Sequence, residues 1–139
     1  MLEQPRRPIP ADMGYSFQKH YTREEAKALL PQVREWLKQL NHLRQSLAQK
    51  DKRISGRLEQ GEDLGGEVIN EYIRVICGLR RILREFAARE IQLKDLERGL
   101  IDFPAIIGGK EVFLCWEQDE EDIEFWHDLD TGYAGREHL

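Results

Sequence analysis

The sequence predicts an α+β fold: a long antiparallel helical hairpin, kinked near Pro31, followed by a small three-stranded antiparallel β-meander. Between residues 22 and 97 apolar side chains recur at alternating steps of four and three residues, as in packed amphipathic helices. After Gly99 the pattern changes to short apolar runs separated by turn residues. The length of 139 residues favours one domain, residues 15–139, behind a proline-rich tail of residues 1–14 that we expect to be flexible.

The first helix is expected to begin at Thr22. Thr22 and Glu25 have the spacing of a capping box, in which each side chain accepts a hydrogen bond from the other residue's backbone amide. The apolar series that follows comprises Ala26, Leu30, Val33, Leu37, Leu40 and Leu47. Pro31 lies early in this series. Because proline removes a backbone donor and its ring clashes with the preceding turn, we expect a kink or a break there.

The second helix is expected after a glycine-rich loop of residues 53–66. Its apolar series has the same spacing and comprises Val68, Tyr72, Val75, Leu79, Ile82 and Phe86. Two long stripes joined by a short polar loop predict an antiparallel pair that crosses at about +20°, as in a coiled coil. Because two helices alone bury only one stripe each, we expect the hairpin to need a further partner.

The meander is expected to start with a hairpin closed by Gly108-Gly109. A two-residue Gly-Gly turn suits type I′ or II′ geometry, since both positions tolerate positive φ. The three strands are expected at residues 100–107, 111–117 and about 123–129. Pro104 cannot donate a hydrogen bond to a neighbouring strand, so the first strand is expected to lie at an edge or to bend there. Residues 91–95 are typical either of a further short strand or of the end of the second helix.

Both faces of the meander carry large apolar side chains. If side chains alternate, Phe113 and Trp126 occupy one face, and Trp116 and Phe125 occupy the other. A sheet that is apolar on both sides needs two covers. The helical hairpin provides one, and we expect the second from the C-terminal tail, the N-terminal segment or another subunit.

The charge of the chain is divided unevenly. Residues 21–98 carry 16 basic and 13 acidic side chains, whereas residues 99–139 carry two basic and 11 acidic ones. A basic helical surface and an acidic sheet in one chain favour self-association through complementary patches. Together with the missing cover, this predicts a non-enzymatic interaction or assembly protein that acts as a homodimer.

The chain is expected to be cytoplasmic, without a membrane partner. It has no apolar segment long enough to span a bilayer, and its N-terminus lacks the apolar core of a secretory leader. Its two cysteines, Cys77 and Cys115, are therefore expected to be reduced thiols.

Four stretches of the chain resemble one bacterial family. They are TREEAKALLP from Thr22, GLIDFPA from Gly99, VFLCW from Val112 and WHDLDTGYAGR from Trp126. The family is uncharacterised, a domain of unknown function, and the resemblance covers about residues 20–139. It implies the domain but no activity, substrate or catalytic residue. This chain differs from the family pattern in a more acidic loop at residues 118–122 and in His138, which replaces a proline.

The C-terminal stretch FWHDLDTGYAGREHL contains most of the side chains from which a site can be built. The candidate polar cluster, either a ligand site or a structural lock, comprises Asp102, Trp116, His127, Asp130, Tyr133 and Arg136. Within it, His127 and Asp130 are the weak metal candidates. Further ligands of acceptable type for zinc or iron are Cys115, Asp128 and His138. Their spacing matches no recognised metal motif, and the alternative is a half-buried His127 hydrogen-bonded to Asp102 or Asp130.

Asp102 interrupts a strand-like run, where aspartate is disfavoured, and is therefore expected to have a specific partner. Arg136 is one candidate, since a bidentate ion pair would fix the tail on the sheet, and the amides of a turn are another. A catalytic set of Cys115, His127 and Asp130 competes with these structural roles. Against it, a reactive thiol needs an exposed and electropositive setting, whereas this third of the chain is acidic. An enzyme that depends on a metal or binds a small molecule here is the main alternative function, and no cofactor is predicted.

Four arginines, Arg74, Arg80, Arg81 and Arg84, occupy one sector of the second helix. Clustered arginines are in principle a footprint of nucleic-acid binding. Glutamates lie beside the sector and no nucleic-acid-binding motif accompanies it. A solvated helix face, or salt bridges to the acidic sheet of a partner, is therefore the favoured interpretation, and nucleic-acid binding is a third hypothesis.

Overall fold

The computed structural model describes residues 14–61 and 65–139. Two packed helices form a hairpin and precede a five-stranded antiparallel sheet in which neighbours along the chain are neighbours in space. The helices are α1 (Arg23–Glu59) and α2 (Gly66–Ala88). The strands are β1 (Gln92–Asp95), β2 (Leu100–Ile107), β3 (Lys110–Glu117), β4 (Phe125–Asp128) and β5 (Glu137–His138), with a 3₁₀ turn at Tyr133–Gly135. The α+β class is confirmed, and residues 1–13 of the expected flexible tail lie outside the described part of the chain.

The first helix starts as the sequence predicts. The Thr22 side chain accepts a hydrogen bond from the Glu25 amide, and the Glu25 carboxylate accepts one from the Thr22 amide, which completes the capping box. The helix then continues through Pro31 without a break. The helix also extends to Glu59, so the prediction that a loop begins at residue 53 is wrong. A single glycine inside a helix, Gly56, costs only about 1 kcal/mol and does not end it.

The prediction of three strands is wrong, because β1 and β5 extend the sheet at its two edges. These strands have only four and two residues. Strand β5, Glu137–His138, is polar and exposed, so neither length nor alternation distinguishes it from a tail. Residues 91–95 are predicted to form either a strand or the end of the second helix, and the structure shows a strand, β1.

The register of β2 and β3 follows from the Gly108-Gly109 turn. Both glycines have positive φ, 60° and 80°, as a type I′ turn requires. Pro104 lies on β2 beyond the last pair with β1, where that edge of the strand is open. The Pro104 carbonyl there accepts a hydrogen bond of 2.7 Å from the Tyr21 amide, so the expected edge position holds for this part of β2.

One face of the sheet, here called the inner face, packs against the helices. It contributes Ile101, Phe103, Ala105, Val112, Leu114, Trp116 and Trp126 to the core. From the helices the core receives chiefly Leu30, Val33, Trp36, Leu37, Leu40, Ile82 and Phe86. Trp126 pairs with Leu114 and His127 pairs with Phe113, so the expected grouping of Phe113 with Trp126 on one face is wrong by one residue of register.

The opposite face, here called the outer face, is covered by both ends of the chain. At one end, residues 14–21, here called the strap, bring Phe17 edge-on to Phe113 with ring centroids 5.5 Å apart. At the other end, the Arg136 guanidinium carbon lies 3.8 Å from the centroid of the Phe125 ring, and the His138 ring centroid lies 4.4 Å from it. Two of the three expected covers, the N-terminal segment and the C-terminal tail, are therefore present within one chain.

Two carboxylates fix the strap. The Glu111 side chain accepts hydrogen bonds from the amides of Ser16 and Phe17 at 2.7 Å and 2.9 Å, and contacts His20 Nε2 at 2.8 Å. The Glu90 side chain accepts from the next two strap amides, those of residues 18 and 19. Glu90 has a φ of 58°, the one positive value among the described residues other than glycine. This backbone conformation is unfavourable for a residue with a side chain, and it occurs at the position whose carboxylate binds the strap.

Neither helix of the described ranges combines the length and the apolarity that a membrane span requires.

The strap depends on Glu111, whose side chain is 7% exposed. We expect Glu111→Ala to lower the free energy of unfolding by about 2 kcal/mol, because the charge-assisted hydrogen bonds to the Ser16 and Phe17 amides are lost. Denaturant unfolding measures this change, and hydrogen exchange should show lost protection at Ser16 and Phe17. Glu124→Ala, at an exposed carboxylate, is the matched control and should change stability by less than about 0.5 kcal/mol. Unchanged exchange of the strap amides in Glu111→Ala would contradict the clamp.

Candidate metal centre

Three strands bring Asp102, Cys115 and His127 together on the outer face. Asp102 on β2 is the direct cross-strand partner of Cys115 on β3. His127 on β4 pairs with Phe113, two residues before Cys115 and therefore on the same face. Each of the three side chains offers one ligand atom, and these atoms all lie within 4.8 Å of one another. A nitrogen, an oxygen and a sulfur donor thus converge.

The three side chains are closed off from solvent. Asp102 and His127 are each 2% exposed and Cys115 is 0% exposed. The Phe113 ring lies 5.6 Å from the imidazole of His127 and is itself covered by Phe17 of the strap. A polar set buried this deeply must satisfy its own hydrogen bonds or bind a ligand.

Hydrogen bonds fix the orientation of the His127 ring. Its Nδ1 lies 2.7 Å from the backbone carbonyl oxygen of Asp128, and because a carbonyl can only accept, Nδ1 carries the proton. Its Nε2 then faces Asp102, at 3.0 Å from Oδ2. The imidazole is therefore held by the backbone on one side and presents its other nitrogen to the cluster.

Asp102 is the least satisfied member of the set. Burial raises the pKa of its carboxyl group, while the charge and hydrogen bond of His127, a weak hydrogen bond from the Cys115 thiol and the charge of Lys94 act in the opposite direction. Its Oδ2 faces His127, but its Oδ1 is buried and has no hydrogen-bond partner among the described residues. The cluster thus retains an acceptor with unused capacity, directed away from bulk solvent.

Burial also determines the state of Cys115. Burial, together with the neighbouring carboxylate of Asp102, raises the pKa of the thiol to about 12. The thiolate is both the nucleophilic and the metal-binding form of cysteine, so burial disfavours attack by Cys115 at neutral pH, whereas a bound cation would stabilise its thiolate. A soft sulfur donor beside an imidazole and a carboxylate is instead a ligand set suited to a transition metal.

The other residues of the expected polar cluster lie elsewhere. Trp116 points to the inner face and donates from Nε1 to the Glu120 carbonyl at 2.9 Å. Asp130 is exposed in the turn after β4, apart from His127. The expected Arg136–Asp102 pair is not formed, since Asp102 contacts His127 and Arg136 binds glutamates.

Arg136 and Tyr133 belong to a separate lock at the sheet edge. The Arg136 guanidinium contacts the Glu120 carboxylate at 2.6 Å and lies 3.8 Å and 4.6 Å from the ring centroids of Phe125 and Tyr133. Planar guanidinium groups stack well on aromatic faces while their edges donate to carboxylates. The glycine-rich ending therefore holds the C-terminal tail against the outer face beside the cluster, and not within it.

The sequence predicts Cys115 as a ligand on a neighbouring strand or as a small buried residue, but its position beside Asp102 is not among the predictions. The signal that finds it is the Gly108-Gly109 turn, since a two-residue loop fixes the pairing of β2 with β3 along its whole length. His127 reaches the cluster from β4. An irregular loop precedes this strand, so no turn motif in the sequence predicts its pairing with β3.

The two thiols should differ sharply in reactivity. We expect exposed Cys77 to react with a thiol reagent at pH 8, and Cys115 to remain unmodified in the native protein because its thiol is buried and keeps its proton to about pH 12. Counting modified thiols by mass spectrometry measures this. Cys77→Ser should leave no reactive thiol until denaturant is added. Fast modification of Cys115 in folded Cys77→Ser protein would contradict the closed site.

No curated protein and no solved structure matches the chain. A family model described as an uncharacterized conserved protein matches residues 19–139, which include both helices and every strand. The chain therefore belongs to this uncharacterized conserved family, DUF2203.

Proposed function

We propose that this protein binds one transition metal ion, zinc in the first place, through Asp102, Cys115 and His127. The observation that carries the proposal is the convergence of three different ligand atoms within 4.8 Å on three adjacent strands. A purely structural cluster would be expected to satisfy all its buried acceptors, whereas Asp102 Oδ1 has no partner among the described residues.

The setting of His127 supports the same conclusion. Histidine ligands of metals commonly donate their second ring N–H to a backbone carbonyl or a carboxylate, which fixes the tautomer and aims the free nitrogen at the ion. Nδ1 of His127 has this partner in the Asp128 carbonyl. Nε2 shares a proton with Asp102 Oδ2 at 3.0 Å, and a metal ion would take the place of that proton.

Zinc fits the donor set better than the common alternatives. Zinc accepts cysteine sulfur, histidine nitrogen and carboxylate oxygen together, whereas magnesium and calcium require oxygen donors. Three protein ligands leave one position of a tetrahedral ion for a water molecule or a further group. Iron is the second choice, because the same ligand types serve it.

The proposed role is non-catalytic. All three side chains are buried, so a bound ion would have no open face toward a substrate. The ion would instead join β2, β3 and β4 from the side that the strap and the tail cover. Metal binding would stabilise the native sheet, and with it the position from which the helical hairpin projects.

The test uses protein purified without chelator. Elemental analysis should find about one metal ion per chain, and reloading of stripped protein with zinc should raise Tm on the order of 10 °C at a thousandfold excess over Kd. Loading with cobalt should produce a sulfur-to-metal charge-transfer band, because one ligand is a thiolate. Cys115→Ser should lose that band, whereas the matched variant Cys77→Ser should retain it.

Circular dichroism separates loss of metal from loss of fold in these variants. Asp102→Asn and His127→Gln should each reduce zinc affinity by at least tenfold while the helical signal persists. Stripped protein that shows neither a thiolate band with cobalt nor a Tm shift with zinc, iron or manganese would rule the metal site out.

A further inference from the structure

A second apolar stripe runs along the outside of α2. The first stripe packs on α1 and the sheet and includes Val75, Ile82 and Phe86. The second, here called the outer seam, comprises Ile69, Ile73, Ile76, Arg80 and Leu83. Its steps are again four and three residues, which is the spacing at which one helix packs along another.

Within residues 14–61 and 65–139 no segment fully covers the outer seam. Ile73 is 49% exposed and Leu83 is 45% exposed, while Ile69 and Ile76 are half-buried at the margin. The hairpin also projects from the sheet, since the last buried residue of α1 is Leu40 although the helix continues to Glu59. Residues 41–59 therefore form part of an arm about 28 Å long, at 1.5 Å per residue, in which only two helices pack together.

The charges of α2 are distributed unevenly along its length. Glu67 and Glu71 lie near its beginning and Arg74 near its middle, and Arg80, Arg81 and Arg84 lie in its second half together with a single acid, Glu85. Within residues 14–61 and 65–139 none of these three arginines forms an ion pair. Cations of the sheet region, such as Arg98 and Lys110, do have carboxylate partners. The basic end of α2 is thus left for an acidic partner.

We propose that the outer seam is covered by the same seam of a second copy, with the two α2 helices antiparallel. This arrangement brings the acidic beginning of each α2 toward the basic end of the other. A parallel arrangement would place the arginines against each other. The arms of the two copies then form an assembly of four helices, in which each α2 lies between its own α1 and the α2 of the second copy.

One register pairs four of the five seam residues with one another. It places Ile73 opposite Leu83 of the second copy, and Ile76 opposite the aliphatic stem of its Arg80. The midpoint of that pairing falls at residue 78. Cys77 is exposed on one flank of the seam, one residue from this midpoint, so its two copies lie on the same side of the interface near the two-fold axis.

Nucleic acid is the weaker candidate for this surface. Arginine side chains suffice to contact phosphates, and the sequence-independent part of such binding does not use isoleucine. The isoleucine and leucine positions at regular spacing indicate a helix as the partner. Binding of a nucleic acid therefore enters as an outcome of the experiment.

Sedimentation velocity of the full chain from 1 to 100 μM tests the proposal. The wild type should be a dimer, and Ile73→Glu and Leu83→Glu should raise its dissociation constant on the order of 100-fold, because each introduces a charge twice into the seam. Leu58→Glu is the matched control, since Leu58 is 58% exposed but lies on α1, away from the seam. It should leave the dimer unchanged, and circular dichroism should show equal helix content in all four proteins.

Native Cys77 gives an independent readout. A short, non-cleavable thiol-to-thiol crosslinker should convert the wild type into a covalent dimer on a denaturing gel, and Cys77→Ser and Ile73→Glu should not form it. A wild type that is monomeric at 100 μM overturns the proposal, and salt-sensitive retention of a labelled duplex by that monomer would assign the arginines to nucleic acid. A dimer that persists in both glutamate variants also overturns it, because the interface would then lie elsewhere.

Discussion

The sheet of this protein is apolar on both faces, and the rest of the structure depends on covering it twice. The helices cover the inner face in the ordinary way, through amphipathic stripes. The outer face is closed by segments with little apolar surface of their own, the strap and the C-terminal tail. These segments are held by carboxylates and by a stacked guanidinium, at Glu90, Glu111 and Arg136. Because polar bonds fix the covers, the outer face can be sealed without a third layer of secondary structure.

The outer face buries polar side chains that are unusual in a protein core. Along with Phe113 and Phe125 it encloses a histidine, an aspartate and a cysteine, where simple packing would use apolar residues. Burying such groups is unfavourable unless they gain partners, and the aspartate has one oxygen without any among the described residues. A bound metal ion would satisfy the set and would join three strands at once. The same sheet supports the helical hairpin, so a metal on the outer face would stabilise the platform of the proposed dimerisation arm.

Local patterns in the sequence predict the helices, the capping box and the Gly108-Gly109 hairpin, because each depends on neighbouring residues. They do not predict β5, whose pairing of Phe125 with His138 is made across a turn and leaves no alternation in two residues. In the site, too, some contacts can be predicted from local sequence and others cannot. Asp102 and Cys115 are paired by a two-residue turn and could be placed together from sequence, whereas His127 joins them through the β3–β4 register, which an irregular loop does not fix. Arg136 is the converse case: the sequence offers it as a partner for Asp102, whereas the fold brings Glu120 within its reach.

The most direct test of the metal centre is X-ray absorption at the zinc edge, on zinc-loaded Cys77→Ser protein in which Cys115 is the one remaining cysteine. We expect a single sulfur at about 2.3 Å and nitrogen or oxygen ligands at about 2.0–2.2 Å. Sulfur should disappear from the shell when Cys115 is also replaced by serine. A zinc shell of nitrogen and oxygen alone in the Cys77→Ser protein would contradict the assignment of Asp102, Cys115 and His127 as the ligands.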